Sequence, residues 1–336
     1  MVTIKDVART AEVSVATVSR VYNGFPGVRE ETRKRVLGVG RKLGYSPHGA
    51  AQSLVTNRTH TIGVLLPDLY GEFFSELIRG IDEAVQGTGF HVLLSSARRP
   101  ADSLEPVLRS MRGRVDGLIL MAPELESTTA RSTLPIRIPI VLVNSPPSDV
   151  ALPSIGVANA EGAHAMVRHL AGLGHRRIGM IRGAEHNFDA AERLRGYRQA
   201  VAELGLVADP ALEVPGDFTE AAGHAAAQRL LALAHRPTAI FAANDGMAIG
   251  VLSALSDAGV RVPEAIAVAG FDDIPMARYA HPALTSVHVD IIDLGRRATV
   301  RLLGALAGRA NGAPERDTLA TTLVLRRSCG ARSDPA

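Results

Sequence analysis

One cysteine, no tryptophan and 4% aromatic residues mark this chain of 336 residues. The single thiol, Cys329, excludes an internal disulfide framework and fits a reducing compartment, so a cytoplasmic protein is expected. No apolar run reaches the roughly 18 residues of a membrane span, and helical patterning starts at Thr3 rather than after a signal-peptide core, which disfavours membrane insertion and secretion. Metal motifs are missing as well. There is neither an HExxH nor a CxxC, and His164, His169 and His175 do not share a helix face. GVGRKLG lacks the preceding strand of a nucleotide loop, so no cofactor is expected. Paired acids at strand ends raise a glycosidase as an alternative, but no general acid and nucleophile can be told apart among them, and an enzyme is not expected.

What is present begins at the N-terminus. Thr3 is placed to cap a helix with Asp6 three residues on, at the positive end of the helix dipole, and Ile4, Val7, Ala8 and Ala11 form one apolar stripe. After a break at Glu12 and Val13, Ser14 can cap a second helix with Val18, Val21 and Tyr22 inward and Val15, Ala16, Ser19 and Arg20 outward. A third helix follows, with Val36, Leu37, Gly40 and Leu43 inward, Arg33, Lys34, Arg35, Arg41 and Lys42 mostly outward, and Gly44 as C-cap. Two short helices joined this tightly suit a helix-turn-helix, whose second helix enters the major groove of DNA.

Charge agrees. Residues 1 to 60 hold ten Lys or Arg against four acids, a net +6 in a chain whose total is +3, so the remainder is −3. A basic head of this kind neutralises phosphates and releases counterions. Ser46 and Pro47 then make a good start for a further helix, yet Gly49 weakens it, and so short a segment orders only with a partner.

From Thr61 short apolar runs alternate with amphipathic helices. Strands are predicted at 62–67, 90–96, 115–122, 138–144, 177–183, 238–245 and 265–273. This alternation implies doubly wound parallel sheets, and about 270 residues of it imply two lobes. Ligands of such sheets sit beyond the carboxyl ends of the strands, where Asp68, Ser95, Ser96, Asn144, Asn244, Asp245, Asp272 and Asp273 cluster.

The head resembles the LacI/GalR family of bacterial transcriptional regulators, on TIKDVA, AEVS, ATVSRVYN, Val28 with TRKRV, LGYSPH and AAQSL. The resemblance continues through GHRRIGMIRG, GDF at 216–218, ANDGMAIGVL, GFDDIPMARY and HPALTSV. It implies a helix-turn-helix domain over 1–45, a hinge over 46–60, and a two-lobed periplasmic-binding-protein-like body over 61–330. The N-lobe would hold about 61–160 and 290–318, the C-lobe about 161–289 and 319–330. It also implies a homodimeric repressor that binds a palindromic operator and responds to a small ligand between the lobes. In the head, Val15, Ala16 and Arg20 would touch base edges, and Ser14, Thr17, Ser19, Asn23, Thr32 and Tyr45 would hold phosphate or sugar. Ala51 and Leu54 of the hinge would also meet DNA, Leu54 as a minor-groove wedge. Phe73, Phe74, Arg193, Phe218, Asp245 and Asp272 would bind the effector. Carboxylates, a guanidinium and an aromatic face suit a carbohydrate, and a purine or nucleoside could use the same chemistry. A transport-type sugar-binding protein would share the body but lack the basic head.

Four positions depart from the family's pattern: Glu12 for the turn Gly, His48 for Asn, Gln52 for Arg, and Val289 for a frequent Gln. The first predicts a strained turn, since a left-handed residue other than Gly costs about 1 to 2 kcal/mol.

Overall fold

The computed structural model describes residues 2–46, 58–97, 104–124, 138–147, 152–309 and 316–330. Two compact units emerge, one running from the N-terminus to Thr61 and including Met111–Asp116, the other formed by the remainder.

Three helices make the head: α1 (Ile4–Thr10), α2 (Val15–Tyr22) and α3 (Glu30–Leu43). At the start of α1 the Thr3 amide donates to the Asp6 carboxylate at 3.0 Å. Ser14 accepts the Thr17 amide at 3.1 Å and so caps α2. Between these helices Glu12 sits at φ 52°, the left-handed conformation that its replacement of Gly had predicted. Val7, Ala8, Ala11, Val18, Val21 and Val36 close a small core. Arg33 does not point outward as expected. Its guanidinium donates to the carbonyls of Val21 (3.3 Å) and Phe25 (3.0 Å), satisfying the C-terminal end of α2 and the loop behind it. Gly40 is required by contact, because a Cβ there would lie 1.8 Å from the Tyr22 hydroxyl. The Tyr22 ring in turn meets Tyr45 edge-on at 5.3 Å. In the same unit Asp116 accepts the Thr59 amide and hydroxyl at 2.7 and 2.9 Å and the His60 amide at 2.9 Å.

The body is built on two six-stranded sheets. The first contains β1 (Thr61–Leu66), β2 (His91–Ser96), β3 (Gly117–Met121), β4 (Ile140–Val143), β5 (Ser154–Val157) and β11 (Arg316–Leu319), in the order β11-β5-β4-β3-β1-β2. The second contains β6 (Ile178–Ile181), β7 (Glu213–Val214), β8 (Ala239–Ala242), β9 (Ala267–Asp272), β10 (Thr285–His288) and β12 (Thr322–Val324), in the order β12-β10-β9-β8-β6-β7. Pairing is parallel from β11 through β5, β4 and β3 to β1 in the first sheet and from β10 through β9, β8 and β6 to β7 in the second, and β12 runs antiparallel to β10. Burial on both faces explains the near-continuous apolar runs of β3, β4, β8 and β9. The chain passes between sheets after β5, after β10 and after β11.

Helices cover the sheets: α4 (Glu72–Val85), α5 (Leu104–Met111), α6 (Asn159–Gly172), α7 (Phe188–Glu203), α8 (Glu220–Leu231), α9 (Asp245–Asp257) and α10 (Ile291–Leu306). Helices α4 and α10 approach closely because Gly80 and Gly295 face each other's backbones. A Cβ on Gly80 would stand 2.0 Å from the Ile292 carbonyl oxygen.

Candidate functional site

The two candidate surfaces are the outer face of α2 and a cleft in the body. On α2, Val15 is 42% exposed, and Ala16 and Arg20 are exposed beside it. The Ser14 and Thr17 hydroxyls are 2.9 Å apart, and Asn23 donates to the Ser19 hydroxyl at 3.2 Å, so the expected phosphate-holding groups flank the base-reading ones. Thr32 and Tyr45 are half-buried. Ala51 and Leu54, with His48 and Gln52, lie outside the described residues.

In the body a cavity of about 250 Å³ is lined from both sheets. That volume is near the lower bound of small-molecule sites, roughly 300 Å³. Phe73 and Phe74, in T-shaped contact at 5.5 Å, form an apolar wall together with Tyr70, Met121 and Pro123. Phe218 faces the cavity from the loop after β7, with φ 73°, and its carbonyl is held by the Asn244 amide at 3.0 Å. Its ring lies on Gly183, where a Cβ would come within 2.3 Å of the ring edge.

Arg193 and Asp272 form the charged floor. Arg193 is 3% exposed, a cation buried within the body. Its Nε donates to Asn159 at 2.8 Å, one terminal nitrogen donates to the Ala243 carbonyl at 2.5 Å, and the other pairs with Asp272 at 2.9 Å. The guanidinium also lies over the Phe271 ring, 3.8 Å from its centre. Asp272 ends β9 at φ 100°, a conformation costly outside glycine, and such strain accumulates at ligand-binding sites. Burial pushes its carboxyl up to about 6 against the opposing pull of Arg193. Asp189, four residues before Arg193 on α7, accepts from Asn159 at 2.8 Å. Burial raises it to about 7, with Arg193 opposing and Asp272 adding to the rise. Asn144, 1% exposed and one residue past the end of β4, lies beside Asp189 and opposes the rise of its carboxyl.

Asp245 is a correction. It does not line the cavity; its fully buried carboxylate accepts from the Ser286 hydroxyl at 2.6 Å and the Ile274 amide at 2.8 Å, fixing the loop that carries Asp272. Burial, then the charge of Asp272, hold it well above the usual carboxylate range. The preceding residue, Asn244, reaches the cavity instead and caps α9 through the Met247 amide at 3.0 Å. Asn187, Asp189 and Tyr70 also line it and were not singled out from sequence. The spacing of Asp189 and Arg193, one helical turn apart, was the available signal. Asp273 turns away to Arg326 (2.7 Å) and His288 (3.0 Å), as a turn residue. Val289 is buried outside the cavity.

A helix-turn-helix head with an exposed second helix and a cavity lined from two parallel sheets, carried by one chain, fit the class of effector-responsive transcriptional regulators. Residues 3–48 match the model of bacterial regulatory proteins of the lacI family, and residues 167–329 match the periplasmic binding protein-like domain. Catabolite control protein A of Priestia megaterium is 37% identical over 304 residues, spanning 90% of this chain and 91% of the relative. The HTH-type transcriptional repressor CytR of Escherichia coli (strain K12) is 35% identical over 98% of this chain and 96% of its own. Among solved structures, the lac repressor dimer bound to operator and the anti-inducer ONPF superposes with a TM-score of 0.88 at 29% identity, covering 98% of this chain and 99% of that one. The CelR–cellobiose complex gives 0.74 at 31%, covering 98% and 100%. The chain belongs to the LacI family of bacterial transcriptional regulators. It is a DNA-binding regulator and not an enzyme.

Proposed function

We propose that this protein is a cytoplasmic repressor that binds a palindromic operator as a homodimer and is controlled by a sugar in its cleft. The observation that carries the reading is the cleft floor: Arg193 joins Asp272 of β9 to Asn159 and Asp189, so a hydroxylated ligand meeting Asp272 acts on a connected buried network. The aromatic wall opposite suits the apolar face of a sugar ring. Among the described residues, bonds that cross the cleft include the Met276 amide to Glu72 at 2.8 Å and the Phe188 amide to the Pro123 carbonyl at 3.0 Å. A ligand that changes the angle between the sheets breaks or keeps these bonds, and it shifts DNA affinity only by its differential affinity for the two arrangements.

On DNA, Arg20 reads guanine through O6 and N7, and Val15 and Ala16 supply apolar contact. Leu54 opens a flexible central step from the minor groove. The relatives whose structures contain operator or cellobiose support this assignment. The test is titration of full-length protein with operator fragments from its own genomic neighbourhood, with and without a sugar panel. Two-fold-symmetric protection that one sugar abolishes or strengthens is the expected outcome; operator binding indifferent to every sugar and nucleoside would refute the effector reading. Leu54→Ala is expected to weaken specific binding far more than nonspecific binding in the same titration.

A further inference from the structure

Four helices begin at or behind the cleft, and an N-terminus of this kind is an anion-binding position. Here each first turn already carries its own carboxylate: Glu72 on α4, Asp189 on α7, Glu220 on α8 and Asp245 on α9. Asp68, Glu124, Asp217 and Asp272 add further acids to the lining. Among the described residues the only cation facing this cavity is Arg193. Its guanidinium is taken by Asn159, Ala243, Asp272 and the Phe271 face, leaving it poorly placed to receive a phosphate. Asp189 and Asp272, both buried beside that guanidinium, already balance its charge, so it offers no free positive charge to an anion, while Asp68, Glu72, Glu124, Asp217 and Glu220 line the approach.

We propose that the cleft excludes anions, so that its ligand is a hydroxylated molecule without phosphate or carboxylate, either neutral or bearing an amine. This rests on the effector reading above and adds a charge rule to it. Repulsion in a partly desolvated site is a specificity device independent of the contacts made to the sugar ring. An ammonium group meets a complementary field in the same place.

The experiment is thermal shift followed by calorimetry on the full-length protein with matched probes: glucose, glucosamine, glucose 6-phosphate and glucuronate; cellobiose and cellobionate; cytidine and cytidine 5′-monophosphate. The expected result is stabilisation by a neutral or amine-bearing member, with its anionic counterpart weaker by about a hundredfold or more. An anionic member that binds as tightly as its parent overturns the proposal. If no neutral or amine-bearing probe stabilises a protein that still binds operator, the effector reading fails and the charge rule falls with it. A second arm uses Asp217→Asn with Glu220→Gln, both exposed and outside the buried network. This pair should narrow the gap between parent and phosphate by about tenfold, following the loss of two nearby like charges. An unchanged gap would remove the acidic lining as its cause.

Discussion

In the head, Ser14 bonds Thr17 and Ser19 bonds Asn23, three and four positions away, at half-buried to exposed positions of α2 and its ends. In the cleft, Arg193 is buried and bonds Asn159 and Ala243, 34 and 50 positions away. The head therefore presents polar groups that are replaceable one at a time, each costing what its own contact is worth. The cleft binds its polar groups into one network, where removing a member leaves others charged and buried.

This contrast can be broken most directly at Arg193. Arg193→Ala leaves Asp189 and Asp272 without their cation, and breaking a buried pair costs about 3–5 kcal/mol; chemical denaturation should show that loss together with loss of ligand response. Asp272→Ala is expected to leave operator binding intact and abolish the response, read by gel shift with ligand. A loss of less than about 1 kcal/mol at Arg193, the scale of a surface pair, would erase the distinction between the two regions.

The pH dependence of stability sharpens it. Asp189 and Asp272 have folded values of about 7 and about 6, above the ordinary 3.8, so the unfolded chain releases these protons first. Stability of the ligand-free protein should fall as pH rises from near 4 towards 7 and then level off. Asp189→Asn should flatten that slope, while substitutions on α2 should leave it unchanged. Arg20→Ala should cost about 1–3 kcal/mol of specific operator binding, with little change in folding. Smallest of all, Glu12→Gly should stabilise the head by up to about 1 kcal/mol, since relief at φ 52° is offset by the greater unfolded freedom of glycine. A lower melting temperature would show the turn to be unstrained.

The same contrast explains what could be read before folding. Caps, turn and apolar stripes of the head are local patterns, and the three helices formed where Thr3, Ser14 and Gly44 placed their ends. Arg33 was misjudged because its partners, Val21 and Phe25, lie in the preceding helix and loop. In the body the seven predicted strands formed within a few residues of their expected bounds. β5, β7, β10, β11 and β12, two to four residues each, were too short to show a period. Phe73, Phe74, Arg193, Phe218 and Asp272 do line one cavity. The choice of Asp245 over Asn244 missed by one residue, because the residue that reaches the cleft is the helix cap, while the first helical residue turns back against Gly270. Which of two adjacent polar residues faces a ligand is set by where the helix starts, and that start was not resolved by pattern alone.

The three passages between the sheets have a mechanical consequence. Two of them are tied together, the Ala158 amide donating to the Leu319 carbonyl at 2.9 Å, and in the third the Val289 amide is held by the Asp272 carbonyl at 3.3 Å. A pair of bodies joined by three short strands behaves like a door on three pins, free to swing about their common line and stiff against sliding or being pulled apart. Because the third pin hangs on Asp272 itself, a molecule gripping that carboxylate also loads the hinge line.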